Sequence, residues 1–234
     1  MTDFRAIYAS QADAYDALVS REDYQGNLLP ALEGIYPLAG AKVVEFGAGT
    51  GRLTRLIAPV AAHVAAFDAS AHMLAKAAER LQGIASGRWS LGVADNKQMP
   101  VDSGTADIAL AGWSFGHAVG WYPDRWQDEI GAAIQEMRRL LRPGGIAIIL
   151  ETMTTGSETP RPPTDGLAAY YQWLERDLGF QSFSIRTDYR FESLEEAERL
   201  TRFFFGNALA DRVVRENLVI LPECTGIWHR RFDG

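Results

Sequence analysis

Apolar positions along this chain alternate between short β-forming runs and longer stretches at helical spacing. Val43, Val44 and Phe46 make a first strand, closed by glycines at 47, 49 and 51; Leu53, Leu56, Ile57 and Val60 then share one side of a helix. A second strand is expected over 63–68. Asp68-Ala69-Ser70 can cap a helix through 71–82, with Met73, Leu74, Ala77 and Leu81 inward. A weaker strand over 87–94 precedes a fourth over 106–110. Residues 124–141 are the clearest amphipathic helix, with Trp126, Ile130, Ile134, Met137 and Leu141 recurring, and Pro143-Gly144-Gly145 stops it. Buried strand 146–150 follows, ending at Glu151. Strands and helices in alternation imply a parallel α/β sheet.

The flanks are less regular. Residues 1–40 read as helical, with one stripe through Phe4, Ile7, Tyr8, Tyr15, Leu18 and Val19 and another through Leu28, Leu29, Leu32 and Ile35; Pro30 suits a first helical turn. Residues 152–165, rich in Thr, Gly, Ser and Pro, read as an exposed loop. An aromatic-heavy helix over 166–180 and a strand over 183–187 follow. Ser193-Leu194-Glu195-Glu196 has the capping-box pattern of a helix start. Residues 219–221 and 225–232 are expected to form a final antiparallel strand split around Pro222-Glu223.

Composition narrows the class. With 234 residues and 47% apolar content the chain suits one sizeable domain. The single cysteine, Cys224, excludes an internal disulfide and fits a reducing compartment. No apolar run is long enough to cross a bilayer, and Met-Thr-Asp-Phe-Arg lacks the apolar centre of a signal peptide, so a cytoplasmic protein without a membrane partner is expected. A net charge of −7 with no basic block argues against nucleic acid and for a small-molecule partner.

The chemistry concentrates at 42–54. Alternating glycines allow left-handed backbone and let a ligand approach bare main chain at a helix start. A dinucleotide fingerprint would need glycine where Arg52 stands, and no Gly-Lys-Ser/Thr follows for a phosphate loop. Glu45 followed by Gly47-Ala48-Gly49-Thr50-Gly51 instead resembles the first motif of class I S-adenosylmethionine-dependent methyltransferases. Asp68, roughly 20 positions on, matches the acid that accepts ribose hydroxyls. Asp95, after the third strand, matches the acid that accepts the adenine amine, and Leu-Arg-Pro-Gly-Gly before strand five is a further likeness.

The resemblance covers 42–151 well and implies a Rossmann-like, seven-stranded, mostly parallel sheet with an antiparallel last strand and helices on both faces. It adds an N-terminal helical cap over 1–40 and a lid-like loop-and-helix insertion over 152–181, above the acceptor. The implied cofactor is S-adenosylmethionine, leaving as S-adenosylhomocysteine. Its implied contacts are Glu45, Gly47, Ala48, Gly49, Gly51, Asp68, Ala69, Met73, Ala94, Asp95, Asn96, Ala111 and Trp113, although Met73 also suits plain core packing. Tyr8, Tyr15, Trp121, Tyr170 and Tyr171 could line an acceptor pocket or simply pack in the core.

Methyl transfer needs alignment and exclusion of water more than it needs a metal, and the four histidines are scattered. For proton removal His117 is the first candidate base, a hydrogen-bonded structural histidine being its alternative; Glu151 and Glu223 are weaker candidates. Ala111-Gly112-Trp113-Ser114 stands where amine methyltransferases of nucleic-acid bases carry Asn/Asp-Pro-Pro-aromatic, and Cys224 lacks the preceding proline of cytosine C5 enzymes. The likeness is to the quinone-biosynthesis and small-molecule group, acting as a monomer or homodimer. A transferase using a modified donor and a non-catalytic binding module are the alternatives.

Overall fold

The computed structural model describes residues 4–232; Met1, Thr2 and Asp3 of the expected cap lie outside the described residues. Three helices come first, α1 (Phe4–Ser10), α2 (Ala12–Val19) and α3 (Leu28–Ile35). There follow β1 (Lys42–Phe46), α4 (Arg52–Ile57), β2 (His63–Asp68), α5 (Ala71–Arg80), β3 (Trp89–Val93) and β4 (Ala106–Gly112). Next are α6 (His117–Trp121), α7 (Trp126–Leu140), β5 (Leu141–Thr155), α8 (Asp165–Arg176) and β6 (Gln181–Arg186). The chain closes with β7 (Tyr189–Arg190), α9 (Leu194–Phe204), α10 (Asn207–Arg215), β8 (Ile220–Leu221) and β9 (Glu223–Arg231).

Seven strands form one sheet in the order β3-β2-β1-β4-β5-β9-β6, and β9 runs antiparallel to both neighbours. Central strands read as unbroken apolar runs because both faces are covered. Val44, Phe46, Ala109, Ala111 and Ile149 face α7 and α8, packing with Ile130, Met137, Tyr170 and Leu174. Their alternates Val43, Ile108, Leu110 and Ile148 face α3 and α4, meeting Leu32, Leu53 and Ile57. The switch in strand order between β1 and β4 opens a crevice at the carboxyl ends, the usual ligand position in such sheets.

The structure departs from expectation in the last third. β5 runs on to Thr155, because Thr152 and Thr155 pair with Thr225 and Glu223 of β9. The expected split final strand is two elements: β8 pairs with β7 in a separate ribbon, and β9 alone joins the sheet. No residue of the lid-like insertion expected over 152–181 lines the cavity beyond the strand ends. Helix α8 packs into the core, where the Tyr171 ring lies 4.5 Å from that of Trp228. The covering layer comes from between β6 and β9. There Tyr189, Phe191, Ala197, Leu200 and Val213 bury Leu18 of α2, joining the insertion to the N-terminal helices. Ser193 caps α9 by accepting from Glu196 N–H, while the Glu196 carboxylate reaches back to Glu192 N–H.

Candidate active site

A cavity of about 560 Å³ lies beyond the carboxyl ends of β1, β2 and β4. Its floor is the glycine turn. Gly47 has φ +70, and a Cβ there would sit 2.5 Å from Ser114 Cβ, so the turn packs against the loop after β4. At Gly49 the nearest atom to a Cβ would be Met73 Cε at 3.7 Å, so this backbone stays accessible from the cavity it lines. Asp68, ending β2, accepts from Gly49 N–H and Ser70 N–H, both at 2.8 Å. Burial raises its carboxyl and these two bonds pull it back. Glu45 takes the Thr54 hydroxyl at 2.5 Å, and burial pushes its carboxyl up to about 7.

Glu45, Asp68 and Asp95 line the same cavity, with Gly47, Ala48, Gly49, Ala69, Met73, Asn96 and Trp113. Gly51 stands just behind, with φ +81 and Ala77 Cβ 3.2 Å from where its own Cβ would be. Asp95 is on the rim rather than within: its side chain is 63% exposed, and one oxygen accepts from Lys97 N–H. Two residues expected at the cofactor are elsewhere. Ala111, in β4, is fully buried inside the sheet, where successive residues face opposite ways, and Ala94, just past β3, packs against the core.

The far end of the cavity is aromatic. Tyr8, Tyr15, Trp121 and Tyr122 line it with His117. His117 is not in a loop; it opens α6. Its ring donates to the Trp113 carbonyl, and Nε2 lies 2.8 Å from the Tyr8 hydroxyl. With the ring proton on Nδ1, Nε2 accepts from the Tyr8 hydroxyl. Burial brings His117 down to about 4 and pushes Tyr15 up to about 12, so both are neutral near pH 7. Trp121 stacks on His117 at 5.0 Å with 16° between the planes.

Tyr170 and Tyr171 are core residues and do not line the cavity. Aromatic residues at helical spacing look alike whether they face a pocket or a sheet. Glu151 and Glu223 are also set back from the cavity lining. The Glu151 carboxyl sits behind the wall, accepting from Gly116 N–H at 2.8 Å and from Phe115 N–H, and burial raises it to about 8. Glu223 is buried beside Glu22, with Oε2 lacking a hydrogen-bond partner and its carboxyl pushed well up by burial.

Other lining residues went unread in the sequence: Arg5, Thr50, Arg52, Lys97 and Glu129. Arg52 stacks 3.4 Å over the Trp113 ring and pairs with Glu22, which also accepts from Tyr189. A cation at a helix start opposes the helix dipole, and that oddity was a readable signal. Thr50 Oγ1 is buried on the cavity wall with no partner. An unsatisfied hydroxyl beside accessible glycine backbone and an acid engaged by two N–H groups suits a polar nucleoside ligand.

A methyltransferase-domain family profile matches residues 43–145. An uncharacterized methyltransferase of Geobacillus kaustophilus is 30% identical over 164 residues, spanning 68% of this chain and 71% of that protein. The chain belongs to the class I S-adenosylmethionine-dependent methyltransferases. Its cofactor is S-adenosylmethionine. The malonyl-[acyl-carrier protein] O-methyltransferase of Pectobacterium atrosepticum is 29% identical over 64% of this chain, and the chain spans only 53% of that relative. A methyltransferase from Thiobacillus denitrificans, solved with S-adenosylhomocysteine, shares the fold with a TM-score of 0.53 at 16% identity, over 88% of this chain and 90% of that one. Asp68, the partnerless Thr50 hydroxyl and the open Gly49 backbone line the same cavity. Among the described residues no group of acids, histidines and cysteine could hold a metal ion, and no helix is long and apolar enough to cross a membrane.

Proposed function

We propose that this enzyme methylates a small molecule, with Tyr8 and His117 handling the acceptor's proton. The observation that carries this reading is the Tyr8–His117 hydrogen bond at the aromatic end of the cavity that Asp68 and the glycine turn also line. S-adenosylmethionine supplies an electrophilic methyl group on a sulfonium. The chain's own work is to hold the acceptor in line, exclude water and take a proton. A hydroxyl or amine that reaches Tyr8 can hand its proton to the phenol oxygen as Tyr8 passes its own to Nε2. The Trp113 carbonyl steadies the imidazole throughout. With the imidazole lowered to about 4, His117 is a weak base that stays ready to accept across the neutral range.

A cavity of about 560 Å³ suits small ligands, and the net charge of −7 favours them over nucleic acid. A cytoplasmic setting belongs to the same reading, supported by a lone cysteine that is buried. The test combines calorimetry with transfer of a labelled methyl group to a panel of small hydroxyl and amine compounds. His117→Ala is expected to bind S-adenosylhomocysteine like the parent while turnover drops roughly 100-fold. Unchanged turnover would remove the histidine from the reaction.

A further inference from the structure

The acceptor end of the cavity holds a guanidinium that no carboxylate among the described residues answers. Arg5, exposed on α1, lines the cavity with its Cζ 4.8 Å from the Trp121 ring centroid and 5.5 Å from that of Tyr122. The other cations of the wall are engaged, Arg52 by Glu22 and Lys97 by Glu129. The carboxylates of the wall are also committed. Asp68 holds Gly49 and Ser70, Glu45 holds Thr54, Glu129 holds Lys97 and Arg125, and Asp95 turns to Lys97. Among the described residues Arg5 has no ion pair. Around it Tyr8 and Tyr15 keep their protons and His117 is uncharged near pH 7, while Arg125, over the same Tyr122 ring, is answered by Glu129.

We propose that Arg5 reads an anionic group, a carboxylate or phosphate, on an otherwise flat and apolar acceptor. This deepens the small-molecule reading above and rests on it. Contact with the Trp121 and Tyr122 rings tethers the guanidinium, whose N–H groups can then make two parallel bonds to an anion. Tyr8, Tyr15 and Tyr122, which line the same end of the cavity, offer aromatic surface for the body of such an acceptor.

The test uses enzyme saturated with S-adenosylhomocysteine and follows tryptophan fluorescence during titration with benzoate, phenyl phosphate and benzamide. One or both anions should bind roughly tenfold more tightly than the amide, the gain of one charge-assisted bond. Whichever anion prevails names the head group. Arg5→Met should erase the preference, and Arg5→Lys, which keeps the charge but loses the fork, should restore part of it. Benzamide binding as well as the anions, Arg5→Met leaving the preference intact, or neither anion binding would each overturn the proposal. Calorimetry of S-adenosylhomocysteine on each variant separates the outcomes. Lost cofactor binding in the parent would strike the methyltransferase reading itself, whereas intact binding without anion preference strikes only Arg5.

Discussion

Glu151 gives a stability prediction that can be worked from its surroundings. Unfolded, its carboxyl ionises at the ordinary 4.5; folded, burial among core side chains holds the proton to about 8. Between those values the folded state binds the extra proton. The stability Glu151 contributes is therefore complete below about 4.5, and it declines until pH passes about 8. At about 1.4 kcal/mol per pH unit the full swing is about 5 kcal/mol, and relaxation of the site and entry of water should leave ~2 kcal/mol. Glu151→Gln keeps the shape and an oxygen for Phe115 and Gly116 N–H, but it cannot ionise. Urea unfolding of parent and variant between pH 5 and pH 9 should show the variant gaining on the parent by roughly 2 kcal/mol as pH rises. A difference that stays constant across that span would mean that Glu151 is ionised in the folded enzyme, and the reasoning would fail.

Two further substitutions test the cofactor end. Asp68→Asn sets an amide NH₂ against one of the two backbone N–H groups the carboxylate accepts, and S-adenosylhomocysteine affinity should fall by ~1–3 kcal/mol in calorimetry; equal affinity would remove Asp68 from the site. Gly47→Ala adds a left-handed backbone penalty to a clash with Ser114, for a loss of ~2–4 kcal/mol and a lower Tm. Gly87→Ala, at φ +82 with nothing within 4 Å of the new Cβ, should cost only about 1 kcal/mol, so equal losses in the two variants would refute the packing argument.

The cofactor half was legible because its signals are local. Gly47, Gly49 and Gly51 declare left-handed turns, and Asp68 is placed by one strand length and one helix length. The acceptor half is assembled from afar. Tyr8 meets His117 across 109 positions of sequence, and Leu18 is buried by Leu200 and Val213; no window of the chain contains both partners. Loop composition over 152–165 suggests an exposed connection, yet the first four of those residues extend β5 because β9 offers them a partner. Tyr170 and Tyr171 carry the same helical spacing as pocket aromatics would, and only the sheet beneath them decides. Asp95 was found by order along the chain. Its exposure follows from β3 lying at the sheet's edge, where little packs over the strand end.

The place of β9 between β5 and β6 bears on how the protein is made. A ribosome delivers β5 and β6 first; β5 can pair with β4 at once, but its other edge and the whole of β6 lack a partner until residues 223–231 emerge. At ordinary elongation rates that leaves one apolar edge of the nascent sheet open for on the order of several seconds. The intervening stretch is the one that becomes the cap. Protection of that raw edge by a chaperone, or by early collapse of the cap segment onto α2, is the step on which yield in the cell would turn.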